Sequence, residues 1–485
     1  MHELLGDIRY SDPGDVRVTG FTNHSREVRP GEAFVAIPGT RVDGHRFIPQ
    51  AVQNGAAALV CETPPGETAV PVFRVQSARR AFSRIAAAWY GFPAQKLSVI
   101  GVTGTNGKTT VVTLLRNILQ AARLKSGTIG TFGYTVDGET FTTDLTTPDS
   151  KELHHYFHQM VEEDVDIVAM EVSSHALALE RTADIPFASA VFTNMGHDHL
   201  DFHQTPQAYR AEKGKLFQSL PASGHAILNK DSTDFSWFAD ITGGAVISYS
   251  LESTSARYFF TEYNLRSQGS SGTIQTPGGT LEVETQLLGR FNLSNILAAT
   301  AAAQQHNISE RAIKQGIAET TVPGRLDRIP SAYNSPTIFI DYAHTPDALE
   351  AVLKELHWLR KQDAPYRNII LVFGCGGNRE KQKRPEMGRI AAEYADEVII
   401  TSDNPRDEDP LRILEEINQG ISRPGVILEP DRREAIYTAV NLADPEDIIL
   451  IAGKGHETYQ IIGENRIPFD DKLVATEALK ELLQE

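Results

Sequence analysis

Residues 97–120, LSVIGVTGTNGKTTVVTLLRNILQ, decide the fold of the chain around them. The first seven form a short apolar, β-branched run, which is typical of a strand buried in a parallel sheet. Apolar residues then recur at helical spacing from Val111 to Leu119. A glycine-rich loop lies between the two. The order of strand, glycine loop and helix predicts a phosphate-binding unit.

The loop 104–110, GTNGKTT, carries the chemistry that such a unit needs. Its glycines let backbone N–H groups approach phosphate oxygens, Lys108 neutralises charge, and the Thr109 hydroxyl can hold Mg²⁺. The general pattern G-x-x-x-x-G-K-[ST] has a glycine where this chain has Val102, so a glycine turn with an incidental lysine is the alternative. We predict an ATP-dependent enzyme with nucleotide contacts at Gly104, Thr105, Asn106, Gly107, Lys108, Thr109 and Thr110.

The composition excludes several other classes of protein. The 485 residues are 41% hydrophobic and 22% charged, as in soluble globular proteins, and their 46 basic and 63 acidic residues give a net charge of −17. Nucleic acid is therefore a poor partner. The N-terminus lacks the pattern of a signal peptide, and no apolar run approaches the roughly 20 residues that span a bilayer. Since only Cys61 and Cys375 are present, we expect a cytoplasmic protein without disulfides or membrane insertion.

Alternating strand and helix patterns predict an α/β fold with three domains. Breaks rich in Gly and Pro precede residue 97 and follow residue 322. We place a small N-terminal α/β domain at 1–95, a central P-loop domain with a parallel sheet at 96–325, and a Rossmann-like domain at 326–485. The region 245–290, rich in Thr, Ser and Gly, is expected to be an antiparallel insertion.

Four predicted strands of the third domain run directly into chemically marked loops, at Asp341, Gly374, Asp403 and Gly453. Ligands of open α/β sheets bind at the carboxyl ends of strands, so these loops should line one edge. Arg379 stands where a dinucleotide fingerprint needs its third glycine, so an anion or carboxylate site is favoured over NAD. The mixture of charges suits a zwitterionic small molecule, although any one loop could be an ordinary turn.

In the middle domain, Glu171 follows a buried strand and a histidine-rich segment, 194–203, follows another. These groups near a triphosphate suit a second divalent cation. Mg²⁺ prefers oxygen ligands and tolerates one histidine, such as His199, whereas a cage of histidines would indicate zinc. His197 and His203 could equally cap turns or make hydrogen bonds.

Ten motifs follow one another along the chain: TGTNGKT (103–109), TTP (146–148), MEVSSH (170–175), TNMGHDHLDFH (193–203), LLGRFNLSN (287–295), PGR (323–325), DYAHTPDAL (341–349), FGCGGNR (373–379), DNPR (403–406) and GKGHETYQ (453–460). In this order they resemble the Mur ligases over nearly the whole chain. The last two resemble the branch of the family that adds the third amino acid to UDP-N-acetylmuramoyl-L-alanyl-D-glutamate.

This resemblance implies a role in peptidoglycan synthesis, and through it in cell shape and division. The implied reaction is phosphorylation of the D-glutamate carboxylate by ATP, followed by attack of the amine of meso-2,6-diaminopimelate on the acyl phosphate. A lysine-adding member of the branch and a folylpolyglutamate-type ligase are the enzymatic alternatives. A non-enzymatic ATP-binding switch is the alternative from another class. We expect a monomer.

The resemblance also implies roles for particular residues. Lys108 and Thr109 are expected to bind the ATP phosphates and one Mg²⁺. A second Mg²⁺ is expected to be bound by Glu171, His199 and a carbamylated Lys213. The expected adenosine contacts are Asn292, Asn295, Arg325 and Asp341. The expected contacts to the UDP-sugar peptide are Ser25, His45, Thr146, Thr147, Ser173 and Arg181. The expected contacts to diaminopimelate are Arg379, Asp403, Asn404, Pro405, Arg406, Gly453 and Glu457. The chain departs from the family pattern at Leu145 and Leu179, where the family often has asparagine and glutamine.

Overall fold

A computed structural model describes residues 1–11, 13–39, 42–196, 198–330, 335–362 and 366–483. It confirms the predicted class: three α/β domains, each built on its own sheet. His197 lies outside the described residues. No helix within the described ranges is long and apolar enough to cross a membrane.

The N-terminal domain is a four-stranded parallel sheet with helices against it, in the order β1-β2-β3-β4. Ser77 caps its longest helix, because its hydroxyl accepts the N–H of Arg80 at 3.1 Å. The elements are α1 (His2–Leu5), β1 (Phe21–Thr22), β2 (Ala33–Ala36), a 3₁₀ turn (Gly44–Phe47), α2 (Ile48–Gln53), β3 (Ala58–Cys61), β4 (Val72–Arg74), α3 (Ala78–Trp89) and a second 3₁₀ turn (Pro93–Lys96).

The middle domain is built on an eleven-stranded sheet. Its elements are β5 (Ser98–Thr103), α4 (Lys108–Ala121), β6 (Ser126–Gly130), β7 (Gly133–Val136), β8 (Glu139–Phe141), α5 (Ser150–Glu162), β9 (Ile167–Glu171), α6 (Ser174–Ala178), β10 (Phe187–Phe192), α7 (Leu200–His203), α8 (Pro206–Gln218), β11 (His225–Asn229), α9 (Phe235–Ile241), β12 (Ala245–Ser250), β13 (Tyr258–Arg266), β14 (Gly269–Thr276), β15 (Gly279–Thr285), α10 (Arg290–Gln305) and α11 (Glu310–Glu319).

The predicted phosphate-binding unit occupies the middle of this sheet. The strand order is β15-β14-β13-β12-β11-β10-β5-β9-β6-β7-β8, and β5 lies parallel between β10 and β9. The apolar face of α4 packs into the main core with α10 and α11, burying Leu114, Leu115 and Ile118 completely. The glycine loop therefore stands on a rigid base, between the carboxyl ends of two buried strands.

The antiparallel region begins later than the sequence suggested. The strand β12 pairs in parallel with both β11 and β13, so the expectation was wrong for 245–250, and antiparallel pairing starts between β13 and β14. Ile247 and Tyr249 are buried, and the Tyr249 hydroxyl donates to the Phe192 carbonyl at 2.9 Å. These contacts hold β12 in the main sheet.

The third domain is a six-stranded sheet in the order β16-β17-β21-β18-β19-β20, with a separate two-stranded hairpin, β22-β23. The strands β17, β21, β18 and β19 are parallel neighbours, which confirms that their loops share one edge. The elements are β16 (Asp327–Arg328), β17 (Thr337–Asp341), α12 (Pro346–Gln362), β18 (Ile369–Phe373), α13 (Lys383–Tyr394), β19 (Glu397–Ile400), α14 (Pro410–Asn418), β20 (Ile427–Leu428), α15 (Arg432–Leu442), β21 (Ile448–Ala452), β22 (Tyr459–Ile462), β23 (Asn465–Pro468) and α16 (Asp471–Leu482).

Candidate active site

Two glycines of the loop after β5 occupy positions that only glycine fits. Gly104 has φ 149°, and a Cβ there would lie 1.9 Å from Thr193 Oγ1. Gly107 has φ 87°, and a Cβ there would lie 2.4 Å from Asn295 Oδ1. Positive φ and close approach both exclude larger residues, so the loop backbone itself lines the surface offered to a ligand.

The Lys108 side chain folds back over its own loop. Its Nζ donates to the carbonyls of Gly104 at 2.9 Å and Thr105 at 2.8 Å. Burial lowers the pKa of Lys108, while the carboxylates of Glu171 and Asp198 oppose that shift. An anionic ligand bound to this loop would find a cation beside it.

Glu171, the last residue of β9, is 1% exposed and faces the loop. Its Oε2 accepts the Thr109 hydroxyl at 3.1 Å, and its Oε1 accepts the Thr131 N–H at 2.8 Å. The hydroxyl and carboxylate form a pair of oxygen donors of the kind that Mg²⁺ prefers.

Lys213 lies on α8 and is 1% exposed. Its Nζ donates at 2.9 Å to the Gly104 carbonyl, the same oxygen that Lys108 uses, and stands 4.4 Å over the ring of Tyr209. Within the described ranges, no carboxylate makes an ion pair with this lysine. Burial, and then repulsion by Lys108, hold its pKa well below the usual range. Lys213 is thus a buried amine whose charged form is disfavoured by its surroundings.

Burial also lowers the pKa of two histidines near this lysine, His199 and His203. Burial lowers the pKa of His199 to about 4, although Asp198 Oδ2 lies 3.4 Å from its Nε2. The His199 ring packs edge-on against His175, with centroids 4.6 Å apart. His203 Nε2 bonds to Ser174 Oγ at 3.0 Å, as the hydrogen-bonding alternative expected. No group of three or more His, Cys, Asp or Glu side chains in the described part of the chain is arranged to hold a metal.

A cleft of about 600 Å³ opens between the glycine loop and the third domain. The predicted adenosine and loop contacts that line it are Asn106, Gly107, Thr109, Thr110, Asn295, Arg325 and Asp341. The sequence did not assign a nucleotide role to other lining residues, which include Asn194, Asn229, Asp231, Phe291, His344 and Asp347. Asn229 ends the strand β11 and Asp231 lies just after it at the same edge, and that position was the available signal.

Asn292 lies behind this cleft and is 1% exposed. Its amide donates to the Leu288 carbonyl at 2.8 Å and accepts from Asn295 at 3.0 Å. It therefore orients Asn295, which lines the cleft, rather than lining it directly.

Asp341 ties the linker between the two domains to the sheet of the third. Its two carboxylate oxygens accept the N–H groups of Leu326 and Ala343, each at 2.7 Å. Burial raises the pKa of Asp341, and Arg325 opposes that shift. The Arg325 guanidinium lies 4.6 Å over the Tyr342 ring. Both Arg325 and Asp341 line the far wall of the cleft.

Three of the residues predicted for the UDP-sugar peptide form one network beside Glu171. The Thr147 hydroxyl donates to the Glu171 carbonyl at 2.9 Å and accepts the Ser173 N–H at 3.1 Å. Arg181 Nη1 donates to the Thr147 carbonyl at 2.9 Å. Thr146 is adjacent and half-buried. The structure brings these four residues together.

Ser25 and His45 belong to the N-terminal domain, where their polar groups are already paired. Ser25 Oγ donates to Gln50 at 2.8 Å. His45 Nδ1 lies 2.7 Å from Asp43, and its Nε2 accepts the Glu62 N–H at 3.2 Å. A ligand hydrogen bond at either residue would replace one of these.

Arg406 is one of the residues predicted to bind the amino acid. Its backbone is in the left-handed conformation, with φ 52°. Its N–H donates to the Ile461 carbonyl at 3.0 Å and its Nη1 to the Gly377 carbonyl at 2.9 Å. The preceding Pro405 is buried, and its carbonyl would lie 1.8 Å from a Cβ at Gly377. Burial lowers the pKa of Arg406, and the exposed Arg379 beside it adds repulsion.

Glu457 faces the same edge, but one of its oxygens is already engaged. Its Oε2 accepts from Asn404 Nδ2 and from Lys454 Nζ, both at 2.9 Å. Lys454 is fully buried, and its Nζ also donates to Asn404 Oδ1 at 3.3 Å. Sequence reasoning assigned it no role, because its contact with Asn404 spans 50 residues of chain. Asp403 is 6% exposed, and its Oδ2 would lie 2.8 Å from a Cβ at Gly453, where φ is 113°. The four loops thus interlock.

Known proteins share this arrangement. The sequence matches the catalytic domain of the Mur ligase family at 17–90, the Mur ligase middle domain at 102–303 and the Mur ligase glutamate ligase domain at 324–455. It is 42% identical over 477 residues to the UDP-N-acetylmuramoyl-L-alanyl-D-glutamate--2,6-diaminopimelate ligase of Geobacillus thermodenitrificans, with 96% of each chain covered.

Two solved structures share the fold. A UDP-N-acetylmuramoyl-L-alanyl-D-glutamate--2,6-diaminopimelate ligase is 32% identical, with a TM-score of 0.68 over 96% of this chain and 95% of that one. The folylpolyglutamate synthase of Mycobacterium tuberculosis, complexed with ADP, is 20% identical, with a TM-score of 0.65 over 76% of this chain and 90% of that one. With its three domains matched in order and a relative 42% identical along nearly its whole length, this chain belongs to the Mur ligase family.

Proposed function

We propose that the protein is an ATP-dependent ligase that joins meso-2,6-diaminopimelate to UDP-N-acetylmuramoyl-L-alanyl-D-glutamate, forming ADP. The observation that carries the proposal is the near full-length, 42% identity to a relative with the diaminopimelate ligase name. The site supports it, because a phosphate loop faces a domain that presents two neighbouring arginines.

The first step we propose transfers the γ-phosphoryl group of ATP to the D-glutamate carboxylate. Positioning and charge stabilisation dominate such transfers. Lys108 would turn from the carbonyls of its own loop to the phosphates, and the loop N–H groups would hold them. Arg325 and Asp341, on the opposite wall, would fix the nucleoside end.

The oxygen donors beside the loop fit magnesium. Thr109 and Glu171, 3.1 Å apart, would hold one ion, and Glu171, His199 and a carbamylated Lys213 would hold a second. Bound Mg²⁺ would neutralise charge on the transferring phosphoryl group. The neutral state of His199 suits this role, since an imidazolium has no lone pair to give.

The surroundings of Lys213 favour the carbamate. A neutral amine can attack CO₂: an N–C bond forms, one C=O π bond opens to a carboxylate, and the nitrogen releases one proton. The lowered pKa of this buried amine, which has no carboxylate partner within the described ranges, favours the first requirement. The product replaces a repelled cation with an oxygen anion next to Lys108.

In the second step the amine of diaminopimelate would attack the acyl phosphate and expel phosphate. Arg406 and Arg379 would bind the carboxylate at the far end of the amino acid, since a guanidinium can grip a carboxylate through two parallel bonds. The ammonium beside it would lie against Asp403, the Gly453 carbonyl and Glu457. We further propose that the enzyme acts as a monomer in the cytoplasm.

A product assay tests the proposal. The purified protein is given ATP, UDP-N-acetylmuramoyl-L-alanyl-D-glutamate, and diaminopimelate and L-lysine side by side, and the products are identified by mass. We expect the diaminopimelate adduct, with ADP release that needs both co-substrates. Equal lysine addition would overturn the amino-acid assignment, and ADP release without any adduct would favour a switch. In a parallel reaction with ATP, a folate and glutamate, addition of glutamate to the folate would favour the folylpolyglutamate alternative.

A further inference from the structure

A buried arginine, Arg384, lies on α13 and contacts the loop that carries Arg379. Its side chain is 0% exposed. Its Nη1 lies 3.0 Å from Glu408 Oε2 and 2.6 Å from Glu416 Oε2, and its Nη2 lies 3.1 Å from Glu408 Oε1. The guanidinium therefore binds Glu408 through both terminal nitrogens, and its Nη1 also binds Glu416.

Glu408 is the acceptor for donors from one short segment that includes the loop after β18. Besides Arg384, its carboxylate accepts the Asn378 N–H at 2.6 Å and Lys381 Nζ at 3.0 Å. Arg384 adds a bond of its own, from Nη2 to the Gly376 carbonyl at 3.2 Å. All of these partners lie within residues 376–384.

The two arginines of the proposed amino-acid site, Arg379 and Arg406, lie close in sequence to residues of this cluster. Arg406 lies two residues before Glu408, and Arg379 directly follows Asn378. The two loops are also joined where the Gly377 N–H donates to the Asn404 carbonyl at 2.9 Å. These bonds and the cluster around Glu408 hold the two loops together against the repulsion between Arg379 and Arg406.

Stability alone does not explain an ion cluster in this place. Taking a guanidinium and a carboxylate out of water costs free energy that their attraction often fails to offset, so an apolar packing of similar volume is often as stable. What a bidentate ion pair adds is a fixed distance and orientation. The cluster fixes the spacing between the segments that carry Arg379 and Arg406.

We propose that Arg384 and Glu408 are positioning residues for the amino-acid site, which hold Arg379 and Arg406 at the spacing that grips the far carboxylate of diaminopimelate. This inference rests on the proposed function. It makes selectivity for a second carboxylate a property of two side chains that never touch the substrate.

The test is Glu408→Gln, which keeps the shape and removes the charge. We expect the KM for diaminopimelate to rise about tenfold or more, because misplacement by about 1 Å costs that much or more in a positioned site. The KM values for ATP and the UDP-dipeptide should stay within about twofold. The ratio of kcat/KM for diaminopimelate over L-lysine should fall about tenfold, which a general loss of structure would not produce. Arg384→Lys, which keeps the charge but not the fork, should show the same pattern.

The matched control is Glu393→Gln, on the same helix as Arg384 but in an exposed pair with Arg389, and it should leave all three KM values unchanged. An unchanged amino-acid ratio in both test variants would overturn the positioning role, and so would failure of both to fold, since the cluster would then be general support. If the wild-type protein itself adds no diaminopimelate, the proposed function fails. If it does and the variants match it, only the positioning role fails.

Discussion

The Lys108 Nζ donates to two carbonyls of its own loop, those of Gly104 and Thr105. Bonds to the phosphates of a bound nucleotide could replace these two bonds. We expect Lys108→Ala to lower turnover by about a hundredfold or more, because charge stabilisation is the main term in phosphoryl transfer. ADP release under saturating substrates measures this. Lys96→Ala, at an exposed lysine, is the control, and near-normal activity of the Lys108 variant would contradict the proposed ATP site.

Lys213 is the residue whose chemistry depends most on its surroundings. We expect Lys213→Ala to be nearly inactive and to regain part of its activity with added acetate or formate, which would supply the missing oxygen anion. In the wild-type protein, ¹³C-bicarbonate should give a carbamate signal that disappears in the variant. Lys215→Ala, two residues further on and half-exposed, should behave as wild type. Absence of a carbamate signal from active enzyme would refute this assignment.

Arg406 is half-buried, and in the described part of the chain its side chain donates hydrogen bonds only to the carbonyls of Gly377 and Asn404. We expect Arg406→Ala to weaken the use of diaminopimelate by roughly 2 kcal/mol or more, about thirtyfold, since a charged hydrogen bond to the substrate is lost. The KM for ATP should change little. Steady-state kinetics with each substrate varied in turn measures both, and an equal loss for both substrates would point to misfolding instead.

Local patterns explain how much of the site could be predicted. Gly104 and Gly107 could be found because a phosphate loop needs small residues at fixed spacing after a strand. The pair of Arg384 with Glu408 could not, since the two residues lie 24 positions apart, and neither could the contact of Lys454 with Asn404, which lies 50 positions away. Only the folded chain brings such pairs together.

At the scale of elements, a buried ion pair links α16 to α15 and to two loops of the third sheet. Arg432 and Asp471 are both 0% exposed and make two bonds of 2.7 Å, while Arg432 also donates to the carbonyls of Ser402 and Ala452. Those carbonyls directly precede Asp403 and Gly453. The pair thus supports two of the loops that carry the site.

We expect Asp471→Asn to lower the free energy of unfolding by roughly 3–5 kcal/mol, because it leaves a buried guanidinium without its counter-charge. Urea unfolding measures the change. Glu477→Gln removes an exposed pair from the same helix and should cost less than about 1 kcal/mol. Equal unfolding midpoints for the two variants would show that the buried pair contributes nothing special.

The strand pattern predicted the third sheet well, because its strands are continuous apolar runs such as Ile369–Phe373. It failed for β12 (Ala245–Ser250), whose second half, 247–250, alternates apolar and polar residues although the strand pairs in parallel. Alternation of polar and apolar residues indicates that one face of a strand is exposed. The direction of β12 relative to its neighbour depends on β11, with which it pairs. Sequence alone does not contain that information in readable form.

At the scale of the whole molecule, the nucleotide cleft belongs to two domains. The ring of Phe132, from the middle domain, stands 5.0 Å from His456 of the third. Closure of such a cleft would complete the site and exclude water from an acyl phosphate. We therefore expect X-ray scattering with all ligands to fit this arrangement and scattering without them to give a larger radius of gyration. Identical curves would mean that the domains do not move.

The contacts of Arg406 have a consequence for how such enzymes change over evolutionary time. Its backbone is bonded to Ile461 and Gly463, and its neighbour Glu408 to Arg384, so the arginine depends on stretches of gene that lie apart. A recombination event that imported only the tetrapeptide 403–406 would bring an arginine without its supports. Inheritance of the third domain as one block moves them all together. New amino-acid preferences should therefore spread between lineages as exchanged domains or as sets of co-selected substitutions, rarely as one mutation.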